Sequence, residues 1–278
     1  MHVQQVADPV QHGEGPVWAE SWGGLRYVDI PAGDVLTLNE GGRITRHHVG
    51  TVATALRPRA AGGAVIAVER GFVLEDPDGT LHQLDEVWSD PGIRMNDGAC
   101  DPAGRFYCGS MAYNQRPGAA TLYRMDADRS VRPVLIGVTV SNGLAWSPDG
   151  SLAYYNDTPT MQISVFDWSE RRGLSNRRVF ATVGALADGL TVDAEGAVWT
   201  AIWNGGAVRR YLPDGRLDGI VEVPVRRVTA CTFGGPNLDQ LYITTSREQT
   251  DVREDRLAGA LFRADVGVRG LPTAPFAG

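Results

Sequence analysis

Four oxygen-bearing side chains recur at matching points of an internal repeat: Glu14, Asn96, Asn142 and Asp188. Each is followed within two residues by glycine and heads a short apolar run. Glu14, Asn142 and Asp188 together offer two carboxylates and one carboxamide. An oxygen-only set carrying two negative charges suits a hard divalent cation, calcium, magnesium or manganese. Zinc or ferrous iron is a further candidate, although the set contains no histidine. Asn96 adds a second carboxamide, and Arg94 places a cation two residues before it.

Taken singly, these residues have plainer readings. Asn-Gly and Asp-Gly pairs form turns, Glu14 alone is a solvated loop acid, and Arg94 could pair with Asp97. Equivalence of four positions is what points to a site. Asp97 either orients Asn96 or acts through water. Asp149, Asp193, Asp214 and Asp239 read as turn residues. The His47-His48 pair invites a metal reading, but it falls before Val49 in the outer part of the first repeat, which disfavours it. His12, two residues before Glu14, is a candidate to line the same mouth. Trp18, Trp146, Trp199 and Trp203 read as packing between repeats, with Trp203 and Tyr113 also candidates to wall a pocket.

The elements that must position these groups are strands. Helical periodicity is nearly absent, and β-branched or aromatic runs lie between Gly, Pro, Asp and Asn clusters. The chain has 278 residues with 34 glycines and 16 prolines. Turns such as Asp76-Pro77-Asp78-Gly79 and Ser147-Pro148-Asp149-Gly150 have a mechanism: Pro presets φ, and Gly takes the positive φ. A sentence of polar head, apolar strand, turn and second strand repeats at Asn96–Cys108, Asn142–Tyr155 and Asp188–Trp199. The heads fall near Glu14, Leu56, Asn96, Asn142, Asp188 and Thr229, in steps of about 41–46 residues, the period of propeller blades. The fold expected is all-β, a single six-bladed β-propeller with four-stranded antiparallel blades, filling residues 1–278 as one domain. A β-sandwich of irregular hairpins is the alternative, disfavoured by the regular period. The residue just before each innermost strand is expected to face the mouth of the central channel. The tail after Gly270, with two prolines, is either loose or covers a blade edge.

Composition narrows the partners. A net charge of −7 argues against nucleic acid. There is no polybasic run, no apolar stretch long enough for a membrane helix and no signal sequence, so a cytoplasmic protein without a membrane partner is expected. Three cysteines, Cys100, Cys108 and Cys231, read as reduced, buried thiols. A monomer or weak homo-oligomer is expected.

The motifs in order carry a resemblance. Gly13-Glu14-Gly15-Pro16-Val17-Trp18, Arg94-Met95-Asn96-Asp97-Gly98, Ser141-Asn142-Gly143-Leu144, Asp188-Gly189-Leu190 and Cys231-Thr232-Phe233-Gly234-Gly235 together span nearly the whole chain. This series resembles the gluconolactonase/regucalcin (senescence marker protein) family, in its bacterial type. The resemblance implies a six-bladed propeller with one divalent ion in the channel, calcium first among the candidates. It implies Glu14, Asn142 and Asp188 as metal ligands, Arg94 and Asn96 as substrate contacts, and Asp188 also as general base. The implied activity is hydrolysis of small sugar lactones such as gluconolactone and pentonolactones. One departure bears on specificity. Animal members carry a sugar-contacting Glu before the strand that corresponds to Thr121–Met125, whereas Tyr113-Asn114-Gln115-Arg116-Pro117-Gly118 holds no acid.

The chemistry implied is metal-assisted ester hydrolysis. The ion polarises the carbonyl, a water attacks, and Asp188 takes its proton, while Arg94 and Asn96 orient ring hydroxyls. Because a carboxylate bound to a cation keeps a low pKa, water activation comes largely from the metal. The other functions weighed are a lactonase or phosphotriesterase for non-sugar esters and a non-catalytic calcium-binding propeller.

Overall fold

The computed structural model describes residues 2–39, 41–251, 253 and 255–278. Among these residues there is no α-helix, and no helix is long and apolar enough to cross a membrane. Strand β1 (Val3–Ala7) comes first and belongs to the last blade. Blade I holds β2 (Gly13–Ala19), β3 (Gly24–Asp29), β4 (Asp34–Asn39) and β5 (Ile44–His48). Blade II holds β6 (Ala53–Pro58), β7 (Ala64–Val68), β8 (Phe72–Glu75) and β9 (Leu81–Gln83). Blade III holds β10 (Ile93–Cys100), β11 (Phe106–Ala112), β12 (Ala120–Met125) and β13 (Val131–Val138). Blade IV holds β14 (Ser141–Trp146), β15 (Leu152–Asp157), β16 (Gln162–Ser169) and β17 (Gly173–Thr182). Blade V holds β18 (Leu186–Val192), β19 (Val198–Trp203), β20 (Ala207–Tyr211) and β21 (Leu217–Glu222). Blade VI holds β22 (Val228–Gly234), β23 (Gln240–Thr245) and β24 (Leu261–Asp265), and is completed by β1. Six four-stranded antiparallel sheets thus form the expected six-bladed β-propeller.

The ring is closed by pairing the chain's first strand with its last, Gln4 opposite Arg263. That join leaves no blade short of a strand.

Packing follows from the blade geometry. Six buried apolar clusters occur, one at each seam between neighbouring blades. At the seam of blades V and VI, Trp199 meets Phe233 edge-on at 5.8 Å. Trp18 stacks on Tyr242 at 5.8 Å between blades I and VI. Trp146 lies against Tyr107 at 5.6 Å between blades IV and III. With the apolar surface spent on the seams, the axis is left for polar side chains. All three cysteines are free and buried in these seams, as expected.

The outer strands are largely solvent-facing, with apolar side chains such as Ile136 on β13, Val179 on β17 and Ile220 on β21 exposed beside the polar ones. The charged pair Arg177-Arg178 lies on β17, and His47-His48 on β5. The tail is neither loose nor a blade-edge cover. It runs across the propeller face where the inner strands end: Gly270 N–H donates to Leu238 O, Thr273 Oγ1 to Trp18 O and Phe276 N–H to Pro58 O, over 2.7, 3.0 and 2.7 Å. Phe276 is fully buried between blades II and III.

Candidate active site

The six inner strands run in the same sense, so their N-terminal ends share one mouth of the channel. Each breaks register there: between Glu14 and Val17, Ala53 and Ala55, Met95 and Gly98, Ser141 and Leu144, Ala187 and Leu190, and Val228 and Ala230. A bulge frees a residue from the ladder and re-aims its side chain. The bulges hold Thr54, Asn96, Asn142, Asp188 and Thr229, while Glu14 flanks its bulge and still pairs with Val28. The site residues therefore lie within the inner strands, not just before them. Blade II uses Thr54 rather than the expected Leu56, which is buried in a seam.

The glycines after these residues serve close approach, not turns. A Cβ on Gly143 would lie 2.5 Å from Leu190 N, and one on Gly189 would lie 2.4 Å from Ala230 Cβ. Gly15 sits against blade II, where a Cβ would meet Thr54 O at 3.3 Å, and its φ is +52°. Each of these three glycines lets its inner strand touch the bulge of the next blade, which draws the polar side chains together at the axis, whereas Gly98 sits against β11 of its own blade.

A directed hydrogen-bond chain fixes the two carboxamides. Arg94 Nη1 donates to Asn96 Oδ1 over 2.8 Å and to Met95 O over 2.9 Å. Asn96 Nδ2 then donates to Asn142 Oδ1 over 2.8 Å and to Ser141 O over 2.9 Å. Asn142 Nδ2 donates to Thr158 Oγ1 over 2.7 Å, and Thr158 donates to Ala187 O over 2.7 Å. Because a carbonyl can only accept, Thr158 must accept from Asn142. The Asn142 oxygen is thereby turned toward Asn96. It is Arg94, not Asp97, that orients Asn96; Asp97 accepts the N–H of Gly98 over 2.7 Å.

Electrostatically the site is overloaded with negative charge. Glu14 and Asp188 are both buried. Burial, followed by the charge of Asp97, pushes the Glu14 carboxyl up to about 8. Burial, then Glu14, then Asp97, holds Asp188 well above the usual carboxylate range. The Gly15 N–H donates to Glu14 Oε2 over 2.8 Å, and Arg94 opposes the shift, but neither cancels it. A pair of buried acids that resist ionisation, beside an oriented carboxamide oxygen, fits a divalent cation, whose charge would reverse both shifts. Among the described residues no group of three or more His, Cys, Asp or Glu is placed to hold a metal ion, so the donors remain two carboxylates plus carboxamide oxygen. That set matches a hard ion better than a thiophilic one.

Glu14, Arg94, Asn96, Asn142 and Asp188 line one cavity of about 110 Å³. His12 and Trp203 line it too, their rings 5.9 Å apart, so Trp203 walls the mouth rather than packing between blades. Tyr113 backs Arg94, its ring 5.9 Å from the guanidinium, and donates to Glu69 Oε1 over 2.7 Å. His47 and His48 stand far out on β5, facing Glu75 at 3.4 Å and Asp34 at 3.0 Å. Sequence reasoning missed Thr158 and Glu248, which reach the cavity from connections between strands, while Gln115 reaches it from the Tyr113–Gly118 connection already singled out. A larger cavity of about 380 Å³ lies at the opposite mouth under the tail, where Arg57 and Asp149 are its charged residues.

A six-bladed propeller with an oxygen-donor cluster at one channel mouth defines the class of protein. The chain belongs to the SMP-30/gluconolactonase/LRE-like family, whose pattern matches residues 12–247. It is 37% identical to regucalcin of Danio rerio, over 96% of this chain and 95% of that protein. It is 34% identical to a pentonolactonase of Haloferax volcanii, over 98% of this chain and 97% of that one. Among solved structures, a calcium-binding regucalcin from Agrobacterium tumefaciens superposes with a TM-score of 0.94 at 29% identity, covering 99% of this chain and 97% of that one.

Proposed function

We propose that this chain is a divalent-metal-dependent hydrolase that opens sugar lactones, gluconolactone or pentonolactones, to the aldonic acid. The observation that carries the reading is the pair of buried acids, Glu14 and Asp188, beside the oriented oxygen of Asn142. The lactonase activity of a named relative supports it. Glu14, Asn142 and Asp188 would hold the ion, calcium first, with manganese, magnesium, zinc and ferrous iron as the other candidates. Such an ion would polarise the lactone carbonyl, offset the charge that develops on its oxygen and keep both carboxylates ionised.

The residues of the chain supply the rest. Arg94 and Asn96 hydrogen-bond ring hydroxyls and hold the lactone in one orientation. Asp188 accepts a proton from the attacking water as its oxygen bonds to the carbonyl carbon. The bond from that carbon to the ring oxygen then breaks, and the ring oxygen leaves as a hydroxyl with the proton returned by Asp188. The buried setting of Asp188 excludes bulk water from competing for that proton. The same reading has the chain acting as one domain in the cytoplasm, as a monomer or weak homo-oligomer, on a diffusible substrate.

Hydrolysis of non-sugar lactones is a second reading, favoured by Met111, Val140 and Leu186, which line the same cavity. Acid release from gluconolactone, a pentonolactone and δ-valerolactone separates the two. Turnover of the sugar lactones above their spontaneous rate is expected. Turnover confined to δ-valerolactone would replace the first reading by the second.

A further inference from the structure

The mouth carries a third carboxylate. Besides Glu14 and Asp188, Glu248 is the one acid lining the cavity among the described residues. It stands on the connection between β23 and β24, residues 246–260. Half of its side chain is exposed (53%), yet it is held from three directions. Its N–H donates to Ser246 Oγ over 2.9 Å, and Ser246 is fully buried. Its backbone carbonyl accepts from Arg227 Nη1. Its carboxylate faces His12 Nδ1 at 3.5 Å, and that nitrogen also meets Ser246 Oγ at 3.0 Å. His12 is itself fixed, because Asp29 Oδ1 accepts its backbone N–H over 3.0 Å.

A loop carboxylate gains little stability from such bracing at the surface. The bracing does determine where the charge points. His12 Nδ1 is engaged with Ser246 and Glu248, and the residue lines the cavity. Trp203 stands beside it, with the Arg227 guanidinium 5.5 Å from the Trp203 ring. Contact with His12 holds the Glu248 carboxyl below its ordinary value, so it is a pure acceptor at neutral pH. An ionised carboxylate accepts two hydroxyl protons at once, and charged acceptors bind them more strongly than neutral ones.

We infer that Glu248, braced by Ser246, Arg227 and His12, forms with Trp203 a subsite for the hydroxyls of a polyhydroxylated ring. This inference rests on the lactonase reading and deepens it. Arg94 and Asn96 approach the substrate from blade III, and Glu248 approaches it from blade VI. The subsite supplies an acid for sugar recognition where the Tyr113–Gly118 connection has none. Substrates lacking ring hydroxyls make no hydrogen bond to Glu248 and gain nothing from it.

The test compares Glu248→Gln and Glu248→Ala with the parent protein in saturating calcium. It reads kcat and KM on gluconolactone and δ-valerolactone, and calorimetric binding of 1,5-anhydroglucitol, a cyclic polyol with no carbonyl to hydrolyse. We expect KM for gluconolactone to rise about 10-fold, with kcat changed less than about 2-fold, and polyol binding to weaken about as much as KM rises. On δ-valerolactone the variants should match the parent. Equal effects on both lactones, or none on either, would overturn the subsite while leaving the lactonase reading in place. Absence of turnover in the parent together with Glu248-dependent polyol binding would remove the lactonase reading and keep the subsite. Polyol binding indifferent to Glu248 would overturn it whatever the turnover.

Discussion

Thr158 Oγ1 lies 2.7 Å from Asn142 Nδ2 and itself donates to Ala187 O. One hydroxyl, from the short turn after β15, thus decides which end of a carboxamide on β14 faces Asn96. The oxygen of Asn142 is the end a cation can use. Thr158→Val keeps the shape and removes the acceptor, so the carboxamide loses its fixed orientation. Calcium affinity measured by calorimetry is expected to fall about 10-fold, as for other residues that orient a ligand. Thr158→Ser should restore it. Unchanged affinity in the Val variant would mean that Asn142 is not a ligand or is oriented by other groups.

The raised carboxyl of Glu14 makes stability depend on pH in a defined direction. Its ordinary value is 4.5, and in the folded chain it is pushed up to about 8. Such a group holds its proton better folded than unfolded. Its contribution is complete below the unfolded value and is lost as pH rises through the folded one. Asp188, shifted the same way, adds to the effect. Chelator-treated protein should therefore lose thermal stability between about pH 5 and pH 8. Glu14→Gln should flatten that slope, and so should saturating calcium, which favours the ionised form. A metal-stripped Tm that rises over this range would contradict the assignment.

The Asn-Gly and Asp-Gly pairs were legible as a pattern, but the reason for their glycines was not. Sequence alone suggests turns; the structure shows inner strands pressed onto neighbouring blades. A Cβ at position 189 would stand 2.4 Å from Ala230 Cβ and 3.0 Å from Thr229 O. Gly189→Ala should cost about 1–3 kcal/mol by overpacking. Gly219→Ala, on an outer strand where the first neighbour is 3.9 Å away, should stay within about 0.5 kcal/mol. Urea denaturation of both variants checks the contrast, and equal costs would place the reason for Gly189 elsewhere.

The fold was readable because its unit repeats and because the inner and middle strands are apolar. The outer strands were not read individually. Edge positions such as Arg177 and Arg178 on β17, or Arg132 on β13, dilute the alternation on which a strand reading depends. Pairing of β1 with β24 joins the two ends of the chain, and no local pattern announces such a contact. Within the site, Glu14, Asn96, Asn142 and Asp188 were legible because each occupies the same point of a repeat. Thr158, Glu248 and Arg227 were not, because they belong to connections that differ from blade to blade. Only their hydrogen bonds reveal them.

The central claim is that one divalent ion, held at Glu14, Asn142 and Asp188, is required for lactone hydrolysis. The direct measurement titrates calcium into metal-stripped protein, following gluconolactone hydrolysis by acid release and ion binding by calorimetry in parallel. Turnover should rise in step with occupancy of a single ion per chain, and Asp188→Asn should abolish it while the protein stays folded. Full turnover in metal-stripped protein, or Asp188→Asn as active as the parent, would contradict the account.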